Sequence, residues 1–268
     1  MPRLGSTLLS LAIAGVLTLA AYTGTAFVAA VVLLVQALIA SAPSPADSRG
    51  RSIRTPRFAA AMAAGVTATV LTLWPDILSG ADGTSSDVLG ATDSGTLFGI
   101  VPAIAVAVFV ALVSQMLRKD GRPDLVASTA YAVALGVFAA LAVGWIGASQ
   151  SLADREGVAV GAAGVGAGVL VWLLPIDRWM CGCLAVVAGA AAGAAVVLNV
   201  DSTVTWVYGV AVGSGAALFA ILGQVLGRAW SRGRTHAAAG WGFPGAMSIV
   251  LAAPIVYVGS QLVGAPGF

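Results

Sequence analysis

The sequence predicts an all-α, polytopic transmembrane helix bundle of about nine spans, and three observations predict it. Of its 268 residues, 59% are hydrophobic and only 9% charged, against roughly a quarter charged in an ordinary soluble domain. The charged side chains fall in short stretches between long apolar runs, and arginine-rich stretches alternate with acidic or nearly neutral ones. That alternation is the signature of cytoplasmic and outer loops. The tryptophans Trp74, Trp145, Trp172, Trp179, Trp206, Trp230 and Trp241 fall at the ends of the runs or beside them, where the amphipathic indole favours the headgroup level. A span takes about 20 apolar residues, so residues 1–268 are filled by a single transmembrane domain.

The elements follow in order. Residues 4–22 resemble a secretory signal led by Arg3, but the apolar run 27–40 follows almost at once, so a two-span hairpin turning at Tyr22-Thr23-Gly24-Thr25 is expected. The loop 41–57 carries Arg49, Arg51, Arg54 and Arg57 and is assigned to the cytoplasm. A third span, 58–74, stops at Pro75. The loop 75–96 then holds Asp76, Asp82, Asp87 and Asp93 with no basic residue, and faces outward. Residues 97–117 form the fourth span, and Arg118-Lys119-Asp120-Gly121-Arg122-Pro123 makes a tight basic connection.

The fifth span runs over 125–148 and is followed by the mixed-sign turn Asp154-Arg155-Glu156. The glycine-rich sixth, 157–174, leads to Asp177 and Arg178; the seventh, 180–198, leads to Asn199 and Asp201. The eighth, 205–227, ends in Arg228, Arg232, Arg234 and His236, and the ninth is 244–263. An odd count places the N-terminus in the cytoplasm and the C-terminus outside. The expected location is the bacterial inner, or plasma, membrane: abundant Gly and Ala, with arginine in preference to lysine, suggest a GC-rich bacterial genome.

Several functions are excluded by residue type. The arginines lie beside apolar runs, where positive-inside bias accounts for them, so no nucleic-acid partner is expected. Cys181 and Cys183 are separated by one residue and cannot enclose a metal without further ligands; they read as structural thiols at a helix start. No GxxxxGK[ST] loop, HExxH helix or GxSxG elbow occurs. His236 has no carboxylate nearby in sequence. No ionisable residue falls at mid-span, which argues against a pump built on buried carboxylates, although unwound backbone can also hold ions. No cofactor or metal is called for.

Two features remain as candidates. Gln36, Gln115 and Gln224 lie within a turn or two of the expected cytoplasmic ends of their spans. With Asp177, Arg178, Arg228, Arg232, Arg234 and His236 they are candidates to line a cytoplasmic-facing pocket. The alternative is that each glutamine hydrogen-bonds a neighbouring helix. The basic loops are also candidates for anionic phospholipid headgroups. Small residues recur at intervals of four, at Gly157 and Gly161, Gly164 and Gly168, Gly189 and Gly193, Gly209 and Gly213, and Gly223 and Gly227. This spacing lets helix backbones approach closely in lipid, either within the bundle or at a seam with a second copy or a membrane-protein partner.

Gly223-Gln224-Val225-Leu226-Gly227-Arg228, followed by the arginine loop and Leu251-Ala252-Ala253-Pro254-Ile255-Val256-Tyr257, resembles the end of the phosphatidate cytidylyltransferases, membrane enzymes that make CDP-diacylglycerol. The opening double span and the expected helix number also resemble that family. The family couples a Lys-Arg pair and a Lys-Asp pair to a Pro-Gly-His-Gly-Gly turn and an Asp-Arg-x-Asp-Ser run. The turn is absent here. With the Ala-Ala-Pro stretches aligned without gaps, the serine corresponds to Ser248 and the two aspartates fall on Pro244 and Met247, while Gln224 and Gly227 stand near the acidic residues of the preceding span.

Metal-assisted transfer from CTP needs carboxylates to hold the divalent ion. The resemblance therefore implies a relative that keeps the bundle without the metal site, and no catalytic residue is carried over. The leading expectation is a non-catalytic lipid-binding or partner-binding membrane protein. The alternatives are a small-solute or lipid transporter, gated by the glycine-rich sixth and seventh spans, and an active CTP-dependent transferase with a displaced site at Asp177, Arg178 and the basic loop.

Overall fold

The computed structural model describes residues 2–44, 55–75, 77, 99–118, 124–200, 204–231 and 237–263, of which the side chains of 2–3 and 237–241 are left aside. Long apolar runs become helices because, without water, every backbone N–H and C=O must be satisfied within the segment. The described residues are helical with short connections and contain no strand. The helices are α1 (Pro2–Thr23), α2 (Thr25–Ala40), α3 (Arg57–Leu73), α4 (Ile100–Met116), α5 (Leu125–Leu141), α6 (Gly144–Ser149), α7 (Asp154–Val171), α8 (Arg178–Asn199), α9 (Trp206–Ser231) and α10 (Ala237–Gln261).

Each expected apolar run is matched by helix, but not each by a full span. Five stretches among the described residues are long and apolar enough to cross a membrane: Leu4–Thr23, Leu125–Ser149, Arg178–Asn199, Trp206–Ser231 and Gly242–Gln261. Helices α2, α3 and α4 are apolar but only 16 or 17 residues long. Helix α7 starts with Asp154, Arg155 and Glu156, which dilute its 18 residues. Most of the acidic loop 75–96, the basic stretch 45–54 and Arg232, Arg234 and His236 lie outside the described residues.

The first hairpin turns on a single residue. Gly24, at φ 137° and ψ 160°, separates α1 from α2, a backbone region that a side chain would oppose. The two helices then diverge. Helix α1 lies against α7 and α10, whereas α2 lies against α3, α5 and α10. They bridge a group formed by α3, α4 and α5 to a larger one formed by α7, α8, α9 and α10.

Two expectations are corrected. The fifth run is interrupted after Leu141 and resumes as the short α6. At the break a β-carbon on Gly144 would lie 2.7 Å from Ala253 O, so only glycine lets this turn seat against α10. Trp145 is not at a headgroup level. It is fully buried and its Nε1 donates to Ile249 O at 2.9 Å, four residues before Pro254 on the adjoining turn of α10. Pro254 has no N–H for Val250 O, so this region of α10 already departs from the regular ladder. Trp74, Trp179 and Trp206 remain exposed, as expected.

The glycine pairs are all used inside the chain. A β-carbon on Gly209 would lie 2.6 Å from Gly193 O, and one on Gly164 would lie 2.5 Å from Gly213 O. Gly168 and Gly189 meet Ala217, Gly157 meets Ser260 and Tyr208, Gly161 meets Val256, Gly223 meets Met247, and Gly227 meets Pro244. The pairings also give helix directions: Gly193 with Gly209 and Gly189 with Gly213 make α8 and α9 antiparallel, whereas Gly164 with Gly213 and Gly168 with Ala217 make α7 and α9 parallel.

Replacing Gly209 by Ala therefore forces backbone apart, and we expect a loss of about 1–3 kcal/mol. Gly182, which has nothing within 4 Å, should tolerate Ala or gain up to about 1 kcal/mol from helix propensity. Thermal unfolding of both variants in one detergent tests the contrast.

Candidate functional site

A polar residue in an apolar helix must find a partner, because leaving it unpaired away from water costs about 1–3 kcal/mol or more. Gln224, wholly buried in the penultimate turns of α9, finds three. Its Nε2 donates to Ser10 Oγ at 2.9 Å, and its Oε1 accepts from Ser6 Oγ at 3.2 Å and from Arg228 Nη2 at 3.0 Å. Ser10 Oγ lies 2.8 Å from Ser248 Oγ and 2.9 Å from Ser6 O. Ser248 Oγ in turn donates to Gly245 O at 2.6 Å. Ser6, Ser10 and Ser248 are all buried, so one carboxamide joins α1, α9 and α10.

The packing around this node is close. A β-carbon on Gly227 would lie 2.6 Å from Pro244 Cα, one on Gly223 would lie 2.6 Å from Ser248 Cα, and one on Gly245 would lie 2.7 Å from Ser6 O. Met247 is fully buried beside them.

Gln115, near the end of α4, repeats the arrangement in the other group. Its Nε2 donates to the buried Ser128 Oγ of α5, and its Oε1 accepts from Arg118 Nη1 at 2.9 Å. Gln36 differs: its Nε2 donates to Thr69 Oγ1 and to Ala139 O, each at 3.1 Å, and no arginine joins it among the described residues. Ser128 and Ala139 lie on the same helix, separated by about 16 Å at about 1.5 Å per residue. Gln36 is thus much deeper in the bundle than its place near the end of α2 suggests. The chain beyond α2 is also held inward, with Tyr131 Oη donating to Pro43 O and with Ala42 buried.

The structure therefore brings Gln224 and Arg228 together, and places Gln115 and Gln36 in two further hydrogen-bonded groups. Asp177 is exposed and acts as the N-cap of α8, its Oδ2 accepting from Trp179 N at 2.9 Å. Arg178 beside it is exposed, and Arg232 lies outside the described residues. Both cysteines are free; Cys181 is buried and donates to Val171 O at 3.1 Å, whereas Cys183 is exposed. Among the described residues no group of three or more His, Cys, Asp or Glu comes together.

The arginine-bearing ends share one side of the bundle. Trp230, two residues beyond Arg228, stacks on Tyr131 of α5 with ring centroids 5.4 Å apart, and Tyr131 is one turn from Ser128. Trp230 also meets Phe138 and Phe243. Arg57 joins this end through a hydrogen bond to Ser44 Oγ. At the opposite end, Tyr208 Oη and Ser260 Oγ lie 3.3 Å apart near Gly157, and Arg155 stands over the Tyr22 ring at 5.4 Å.

Comparison with known protein families, with curated proteins and with solved structures finds no match.

Two substitutions test these assignments. Asp177→Ala removes the cap of α8 and should cost about 1 kcal/mol, while Asp177→Asn keeps an acceptor and should stay within a few tenths of that value. Gln36→Leu leaves Thr69 without its carboxamide partner and should cost about 1–2 kcal/mol. Both costs are read from unfolding midpoints in detergent.

Proposed function

We propose that this is a non-catalytic integral protein of the inner membrane, a lipid-binding or partner-binding relative of membrane lipid-synthesis enzymes, with nine crossings, a cytoplasmic N-terminus and an external C-terminus. One observation carries the reading. Gln224, Gly227, Pro244, Met247 and Ser248, which stand at or near the carboxylate and serine positions of the resembled family, converge in one place. There they serve as a helix clamp: a carboxamide held by Ser6, Ser10 and Arg228, and a glycine pressed on a proline. A carboxamide, a glycine, a proline and a thioether offer none of the hard anionic oxygens that a divalent ion bridging CTP phosphates needs.

Charge supports the orientation. Arg57, Arg118 and Arg228 gather at one end, and the antiparallel α8 and α9 bring Arg178 to that end as well. Asp154 and Glu156 lie at the other, in the first turn of α7. Positive-inside bias then assigns the arginine end to the cytoplasm. The short α2, α3 and α4 fit crossings in which the bilayer thins locally around a bundle too short for it.

The break between α5 and α6, seated against the Pro254 segment of α10, favours a second reading as a transporter, since interrupted helices meeting in the membrane are where such proteins bind solute. Trp145 fills the place where the two interruptions meet, which weighs against an open path.

The test is a cytidylyl-transfer assay on folded, monodisperse protein with labelled CTP, phosphatidate and Mg²⁺, beside native mass spectrometry of co-purifying phospholipid. We expect retained phospholipid and no CDP-lipid, from wild type or Asp177→Asn. CDP-lipid formed by wild type and lost in Asp177→Asn would overturn the reading and establish a displaced transferase site. Solute flux in proteoliposomes would replace it with transport.

A further inference from the structure

The Gln115 and Gln224 groups are built alike on unrelated parts of the chain. In each, a buried glutamine near the inner end of a helix donates through Nε2 to a buried serine on a neighbouring helix, Ser128 in one and Ser10 in the other. In each, its Oε1 accepts from an arginine one turn further along, Arg118 at 2.9 Å and Arg228 at 3.0 Å. The serine fixes the carboxamide, and the carboxamide fixes one edge of the guanidinium. Both arginines are partly exposed and end apolar helices at the same side of the bundle.

A guanidinium is planar and presents five N–H donors in a fork that matches phosphate oxygens in pairs. Anchoring its edge on a neutral oxygen orients that fork without neutralising the charge, as a carboxylate partner would. The apolar residues beside each arginine limit what can reach it. Met116 and Leu117 next to Arg118 are 70% and 76% exposed, and Val225 and Leu226 before Arg228 are also exposed. A ligand at this level therefore meets one anchored cation and an apolar helix surface together, which suits a phosphate esterified to acyl chains better than a free anion.

We infer that Arg118 and Arg228 are two glutamine-anchored sites for the phosphodiester headgroups of anionic phospholipids in the cytoplasmic leaflet. The inference rests on the orientation proposed above and gives its lipid-binding reading a ligand class and residues. Arg118 and Arg228 touch the phosphate; Gln115 and Gln224 are positioning residues.

The test measures binding of phosphatidylglycerol, phosphatidylcholine and inorganic phosphate to delipidated full-length protein by native mass spectrometry. The readout is the ratio of phosphatidylglycerol to phosphatidylcholine bound, which a change in stability alone would not move. Wild type should prefer phosphatidylglycerol, and Arg118→Gln with Arg228→Gln should reduce that preference by about tenfold or more, as loss of charge-assisted hydrogen bonds predicts. Arg118→Lys with Arg228→Lys keeps the net charge without the fork and should lose most of the preference. Arg155→Gln removes one positive charge from the other end and should leave it unchanged.

An equal loss in Arg155→Gln, or full retention in the double lysine variant, would show that bulk charge suffices and would overturn the inference. Displacement of phosphatidylglycerol by an equimolar amount of inorganic phosphate would overturn the assignment to lipid. Retained phospholipid without headgroup preference, together with no CDP-lipid formation, would sink this inference and leave the non-catalytic reading standing.

Discussion

The carboxamide of Gln224 holds the two ends of the chain to its last long helices. In water, apolar faces would draw the helices together; in lipid that drive is missing, and association depends on close packing and on polar groups that must pair across helices. Gln224 supplies the pairing for α1, which has no other helix partner near its start that can anchor it by a side-chain carboxamide. Because α1 and α2 are joined by Gly24 alone, placing α1 on α9 and α10 also limits where α2 can lie. Gln36 then completes the connection, reaching Thr69 and Ala139 in the group of α3 and α5.

Close packing does the rest, and it is backbone packing. The buried hydrophobic residues are dominated by alanine, with Ala60, Ala64, Ala68, Ala103, Ala107 and Ala139 lining the contacts among α3, α4 and α5. The glycines of α7, α8 and α9 bring carbonyls against Cα atoms of the next helix, where weak Cα–H···O contacts and dispersion accumulate. The few large buried side chains, Trp145, Tyr208 and Phe243, occupy places where this small-residue packing leaves room, and Trp145 and Tyr208 each find a hydrogen-bond partner there. Glycine stripes that resemble dimer seams in a linear sequence are thus already occupied by the chain's own helices.

The helices were legible from hydropathy because lipid imposes one requirement on a long stretch, internal satisfaction of its backbone, and charge marks where that requirement ends. Gln36, Gln115 and Gln224 were legible because an amide in an apolar run needs a partner. Their partners were not. Ser6, Ser10, Ser128 and Ser248 carry little signal, since a serine in a helix can bond the carbonyl one turn back, as Ser10 also does with Ser6 O, and needs nothing else. Depth was misjudged for the same reason as the break at residues 142–143. Counting residues from a helix end assumes straight helices that all reach the surface, whereas α2 stops inside the bundle and α5 yields to the close approach of Gly144 and Ala253.

The functional account follows from where polarity was kept and where it was not. The polar groups that remain in the bundle are neutral, paired and shared between helices, an arrangement that gives rigidity and specificity of packing, while charge is confined to the ends. The most direct test of this account is a double-mutant cycle of Ser10→Ala and Gln224→Leu, followed by reversible unfolding in mixed micelles. A coupling free energy of about 1 kcal/mol or more, toward the upper range measured between membrane helices, is predicted for a shared buried hydrogen bond. Strictly additive losses would mean that α1 is not held by α9, and would contradict the arrangement of the whole bundle.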